Sequence, residues 1–408
     1  MIKQTTVLLF VLLFLAGTAA CGHNSDHLVE DTSGMTQAQA SATQNGASDT
    51  DSAAQSTDTV QPDPMPDRAD YTQAAERYVN NLSLEAQVAQ MFFARCPEVD
   101  AAALTDEYNI GGYILFGRDF EGQTRDSVSA TIQSYQDAAA TPMLIGVDEE
   151  GGTVVRISSN PNFRAERFYA PQSLYDKGGF ELIASDTKEK DELLASIGVN
   201  VNFAPVCDVS TDPNDFINAR AFGQDAAQTS KYVRTVVSQM VEDGMGMVLK
   251  HFPGYGNNVD THTGIAIDER PIETFRTSDF LPFAAGIEVG AQSILVSHNI
   301  VNCMDSTLPA SLSPAVHDIL RNELGFDGVI ITDDLIMEAI TGYTGGESAA
   351  VLAVQAGNDM LISSDFVTQY NAVLAAVEDG TISEEQIRAS AVRVIRWKMQ
   401  IGLLEPVR

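Results

Sequence analysis

The chain has 408 residues, enough for one large or two medium domains around a substantial core. It carries 56 acidic and 24 basic residues, a formal net charge of −32. Nucleic acid or an anionic membrane surface would need a basic face, so this balance argues against either as the main partner.

Residues 1–21 read as a secretory signal. Lys3 gives a weak positive start, and Val7 to Ala16 is an apolar core too short to span a bilayer. The small residues Gly17-Thr18-Ala19-Ala20 then precede Cys21, which resembles a bacterial lipobox with Thr18 standing where Leu is usual. The expectation is a protein anchored through a lipid on Cys21 at the outer side of the cell membrane, or secreted if Cys21 stays unmodified. Residues 22–73 are rich in Ser, Thr, Ala, Gln and Asp. From Asn24 to Gln73 there are nine carboxylates against one basic side chain, Arg68. Such a stretch buries too little apolar surface to offset its ordering entropy and reads as a disordered tether. Cys96, Cys207 and Cys303 are too scattered for a metal set or a disulfide framework, and read as small apolar core residues.

From residue 74 onward strand-like and helix-like stretches alternate. Apolar runs fall at Val88–Phe93, Gly112–Phe116, Met143–Val147, Val199–Pro205, Met247–His251, Ser293–Ser297, Val329–Thr332 and Asp359–Ile362. Helical periodicity appears at Asp126–Ala139, Glu189–Ile197, Ala226–Val241, Phe280–Val289, Ser313–Glu323 and Ser348–Ala356. A last helix is expected at Glu384 to Met399. The strand runs are nearly continuous in Val, Ile, Leu and Phe, as in parallel strands buried on both faces. Eight of them predict an α/β protein: a (β/α)8 TIM-type barrel, one catalytic domain over residues 74–408.

Polar residues close these runs at their C-terminal sides: Asp148, Asp208, Lys250 with His251, His298, and Asp333 with Asp334. In a barrel these ends ring one mouth. One such Asp is commonly a cap or turn former, whereas a ring with His and Lys points to a site. Asp333 and Asp334, being adjacent, should have separate jobs, one facing the axis and one capping the next helix. In Asp260-Thr261-His262 the carboxylate can fix the imidazole tautomer and leave the other nitrogen for proton transfer. A zinc set of His251, Asp260 and His262 is conceivable but is set aside, since a hydrolytic zinc site has no need of the flanking Lys. No metal and no cofactor are expected.

Lys250-His251-Phe252-Pro253-Gly254 with Asp260-x-His262, and Thr332-Asp333-Asp334-Leu335-x-Met337, resemble glycoside hydrolase family 3. Gly111 to Phe116, Asp148 to Gly152, Asn202 to Asp208 and Arg220-x-Phe222-Gly223 extend the likeness from about Leu82 to the C-terminus. More narrowly, the pattern is similar to single-domain bacterial β-N-acetylglucosaminidases. The resemblance implies a retaining mechanism with Asp333 as nucleophile and His262, paired with Asp260, as acid/base. It also implies that Asp148, Arg156, Arg220, Lys250 and His251 hold the terminal sugar. The expected activity is an exo-β-N-acetylhexosaminidase on glycans or cell-wall fragments, with carbohydrate as its partner and the chain a monomer. Alternatives on the same fold are a β-glucosidase or a phosphorylase, and from another class an inactive surface glycan binder. The sequence departs from the family's Gly-His-Gly-Asp-Thr after Pro253, reading Gly254-Tyr255-Gly256-Asn257-Asn258. Tyr255 could stack on a sugar or pack under its loop.

Overall fold

The computed structural model describes residues 68–258, 266–337, 340, 344 and 348–406. Among them eight parallel staves follow one another in chain order. They are β1 (Phe92–Arg95), β2 (Gly112–Leu115), β3 (Leu144–Val147) and β4 (Val201–Asn202). Then come β5 (Gly246–Met247 continued by Leu249–Phe252), β6 (Ser293–Val296), β7 (Val329–Thr332) and β8 (Leu361–Ser363). Each pairs with its sequence neighbour, β5 passing from β4 to β6 through its two segments. β8 pairs with β1, and a parallel bridge from Ile331 to Met360 joins β7 to β8, closing the ring. This is the expected barrel.

Side chains alternate across the staves as strand geometry requires. Phe93, Ile114, Leu144, Val201, Leu295, Val329, Ile331 and Ile362 form an interior core. The alternate residues Phe92, Tyr113, Ile145, Leu249, Ile294 and Ile330 pack outward in the core shared with the helices. Gly146 is small because the interior needs it so: a Cβ there would lie 2.5 Å from the Phe203 ring and 2.7 Å from that of Phe93.

Outer helices start and stop where local chemistry allows. Ala226–Asp243 begins at Asp225, whose carboxylate accepts from Gln228 N, and ends at Gly244 in the left-handed conformation. The helix Glu384–Gln400 has a different duty. Capped by Ser383, it sends Val394 and Trp397 into the interior core and so forms the barrel floor. Beside them the fully buried Lys398 ammonium donates to Gln90 Oε1 at 2.6 Å, and burial lowers its pKa to about 7.

Several boundaries differ from expectation. Val88–Phe93 is split: Leu84–Gln90 is helical, and the strand begins only at Phe92. Its apolar residues there cover one helix face and then enter the sheet. Residues 68–73 of the expected linker belong to a helix, Arg68–Val79, whose Ala74, Ala75 and Val79 pack on the last helix. The helix expected at Glu189–Ile197 is the end of a longer one, Pro171–Ala195, interrupted at Gly178 and Gly179. Cys96 and Cys207 are buried as expected, but Cys303 is exposed and is not a core residue. Cys21 lies outside the described residues.

Candidate active site

The C-terminal ends of the staves surround a cavity of about 560 Å³. Asp148, Arg156, Arg220, Lys250, His251, Asp333 and Asp334 line it, with Phe116, Phe203 and Phe216 among its apolar walls. Six of the eight residues expected at the site therefore come together, from elements far apart in sequence.

Three consecutive carboxylates after β3 do three jobs. Glu149 is fully buried and folds the loop back: its carboxylate accepts from the backbone N of Arg156 and Ile157 at 2.8 Å each, and from Ser158 N at 3.2 Å. That clamp holds Arg156 beside Asp148, 3.4 Å from Nη2 to Oδ2. Asp148 itself faces the cavity and accepts from Lys250 Nζ at 2.7 Å. Glu150 turns inward, 2.6 Å from Lys250 Nζ and bidentate on Arg220 at 2.7 and 3.0 Å. Burial pushes the Glu150 carboxyl up, yet Lys250 and Arg220 outweigh it and hold the pKa at about 2.

Asp208 organises the other wall. One carboxylate oxygen accepts from His251 N at 3.1 Å and meets His251 Nδ1 at 2.8 Å; the other accepts from Tyr255 N at 2.7 Å. On the far side of the imidazole, Arg220 Nη2 lies 3.2 Å from Nε2. A guanidinium can only donate, so Nε2 accepts and Nδ1 carries the proton given to Asp208. Tyr255 is 2% exposed and packs with Val206 and Ile217, its ring edge-on to His251 at 5.0 Å. It lies under its loop rather than on the cavity wall.

Asp333 directly follows β7, its N still bonded to Val296 O at 3.2 Å, and its Oδ1 accepts from Asp334 N at 2.8 Å. Asp334 accepts from Ser364 Oγ at 2.7 Å and Ile336 N at 3.2 Å, so it braces the turn. Burial raises its pKa, with Ser364 opposing the rise. His298, fully buried, donates from Nε2 to Asp334 O at 3.1 Å and supports this turn from behind. Asp208, expected in the ring at the mouth, lies behind the cavity and holds His251, while Glu150, which strand-end position did not single out, binds Lys250 and Arg220. Their signal was present, a carboxylate beside each strand end, but its direction was not.

Asp260 and His262 lie outside the described residues. The chain on either side of them is pinned: Asn258 Nδ2 donates to Asp268 Oδ2 at 2.7 Å. Arg270 bonds Asp268 at 2.8 Å, Asp279 at 3.0 Å and Gly254 O at 3.1 Å. At Gly254, φ is +119° and a Cβ would sit 2.4 Å from Asp279 Oδ1, so no other residue fits.

A polar, carboxylate-bearing cavity at the C-terminal mouth of an eight-stave barrel lies where barrel enzymes carry their active sites. The model of the glycosyl hydrolase family 3 N terminal domain matches residues 83–397. The chain belongs to glycoside hydrolase family 3. It is 30% identical over 333 residues to beta-hexosaminidase A of Pseudoalteromonas piscicida, covering 74% of this chain and 55% of that protein. To a beta-hexosaminidase of Xanthomonas oryzae pv. oryzae it is 34% identical over 264 residues, covering 62% and 76%. Among solved structures, a family 3 beta-N-acetylglucosaminidase from Paenibacillus sp. superposes with a TM-score of 0.73 at 30% identity, covering 79% of this chain and 63% of that one. The chain thus spans little more than half the length of the first of these relatives.

Proposed function

We propose that this glycoside hydrolase is a retaining, exo-acting β-N-acetylhexosaminidase that releases terminal N-acetylglucosamine. The observation that carries the reading is one cavity in which Asp333 shares walls with Asp148, Arg156, Arg220, Lys250 and His251. The names of the similar proteins support the sugar.

The terminal sugar sits against this polar wall. Asp148 offers acceptor oxygens to hydroxyls, while Lys250, Arg156 and Arg220 offer donors. Asp333 attacks the anomeric carbon as the bond to the leaving oxygen breaks, and protonated His262 gives its proton to that oxygen. Water then attacks the glycosyl ester; neutral His262 takes its proton, and the Asp333 carboxylate is regenerated. Asp260 orients the imidazole and balances its charge, which lets the pair work near neutral pH. His262 and Asp260 take these roles from the sequence motif.

Turnover of aryl β-glycosides differing only at the 2-position tests the substrate. Preference for the acetamido sugar is expected, and preference for the hydroxyl would make the chain a β-glucosidase. His262→Ala should cost less on substrates with good leaving groups; equal losses on all would remove His262 as the acid. We further propose that Cys21 anchors the chain outside the cytoplasm, with residues 22–67 as the tether. Labelling with a palmitate analogue should then mark the wild type and not Cys21→Ala.

A further inference from the structure

Asp359 stands just before β8, and its carboxylate gathers donors near the N-terminal ends of two staves, the opposite end from Asp333. Oδ2 accepts from Ile330 N of β7 at 2.9 Å and from Arg321 Nη2. Oδ1 accepts from Ser390 Oγ and from Arg393 Nη1, each at 2.9 Å. Two guanidiniums therefore share one carboxylate. With His317, Gln386 and Ala389 they line a cavity of about 340 Å³. Its walls come from the helix Pro314–Asp318, continued by Ile319–Glu323, and from the helix Glu384–Gln400.

The charge here does not balance. Asp359 already takes four donors, and Arg321 gives its Nη1 to Phe326 O at 2.9 Å and Gly328 O at 2.6 Å. Arg393 has Asp359 as its one hydrogen-bond partner among the described residues. Burial lowers the Arg321 pKa; Asp359 opposes the fall and the Arg393 charge adds to it. Asp318 also lines the cavity but is exposed and accepts from Asn322, so its charge is screened. A second want lies on the opposite wall. His317 is 3% exposed, and its Nδ1 meets Ser313 O at 2.8 Å. A carbonyl can only accept, so Nδ1 carries the proton, and burial, lowering the pKa, keeps the ring neutral. Nε2 is then an acceptor, buried on the cavity wall without a hydrogen-bond partner. Asn358 Oδ1, close to the ring, is another buried acceptor that lacks a donor. Such groups are costly unless something arrives to meet them.

We infer that this cavity is a second binding site, separate from the one at the mouth, for a small oxyanion that carries hydroxyls, of the class of a monosaccharide phosphate. The anionic oxygens accept from Arg393 and supply the counter-charge that Arg321 and Arg393 now divide. A hydroxyl donates to His317 Nε2. The volume is at the small end for ligand cavities and suits an occupant of one sugar unit. Bound there, the ligand joins the helix Pro314–Asp318 to the floor helix, so it stabilises the fold without touching the catalytic mouth.

Calorimetric titration of the full chain with glucose 6-phosphate, inorganic phosphate and glucose tests this. The wild type should bind glucose 6-phosphate with a Kd of about 0.1–1 mM, inorganic phosphate roughly 10-fold more weakly, and glucose not at all. Arg393→Gln should weaken glucose 6-phosphate roughly 10-fold or more. Ala389→Glu puts a carboxylate one helical turn before Arg393, where it takes the place of the anion. That variant should lose the binding while keeping the melting temperature of the ligand-free wild type, since every bond to Asp359 is left in place. Four results overturn the inference: no binding at about 10 mM ligand, glucose bound as well as its phosphate, binding unchanged in Ala389→Glu, or displacement of the phosphate by N-acetylglucosamine, which would put the anion at the mouth. None of them bears on the hexosaminidase reading, which this inference does not need.

Discussion

The Lys250 ammonium sits 2.6 Å from the Glu150 carboxylate, and both side chains are only 3% exposed. The same ammonium is 2.7 Å from Asp148, so one buried cation ties the cavity wall to the charge behind it. Lys250→Met leaves Glu150 with Arg220 alone, and breaking a buried pair in this way costs about 3–5 kcal/mol. Urea unfolding monitored by circular dichroism checks that figure. The pH dependence has a defined sign. Glu150 has a folded pKa of about 2, below its ordinary 4.5, so its stabilisation is present above 4.5 and lost as pH falls toward 2. In the variant, acid unfolding should begin at higher pH.

Asp333→Asn should abolish turnover of an aryl N-acetyl-β-glucosaminide and leave the melting temperature close to wild type. The side chain lines the open cavity, and an amide can still accept from Asp334 N at this position. Residual activity near the wild-type level would remove Asp333 from the role of nucleophile.

Asp208→Asn is the subtler test. The wild-type carboxylate accepts from His251 on one oxygen and from Tyr255 N on the other. An amide must turn its NH2 toward one of these donors, whichever way it is placed. The expected cost is about 1–3 kcal/mol of stability, with a rise in KM larger than any fall in kcat. Unchanged KM would mean that the His251 tautomer is immaterial to sugar binding.

Lys398 gives a test remote from the cavity. Burial holds its pKa at about 7, against 10.5 for a free lysine. Between those values the unfolded chain binds the extra proton, so the group makes stability rise with pH across this window. Lys398→Met should flatten the rise while Gln90 keeps its bond from Nε2 to Asn109 O. An undiminished slope in denaturant midpoint from pH 7 to 10 would assign the effect to other groups.

The barrel was readable because parallel strands buried on both faces leave unbroken apolar runs: Val329–Thr332 matches its run residue for residue. Where a buried helix face runs into a strand, as from Val88 to Phe93, composition alone cannot place the join. At the site, sequence brought out the residues that end strands, since Asp333 and Lys250 announce themselves by position. It could not rank Asp148, Glu149 and Glu150, because neighbouring acids differ only in where the loop turns them. That direction is set by the partners the folded chain supplies, Ser158 nine residues on for one and Arg220 seventy residues on for another. Tyr255 was undecided for a similar reason, its burial depending on Val206 and Ile217.

The floor helix has a consequence for how this protein is made. A nascent chain that has released all eight staves but not Glu384–Gln400 has a ring with Val394 and Trp397 missing from its interior. The barrel must therefore wait, open at its base, until synthesis is well past the last strand. Ribosome-stalled chains ending before Ser383 should stay protease-sensitive and engage chaperones, whereas chains extended beyond Gln400 should become resistant in one step.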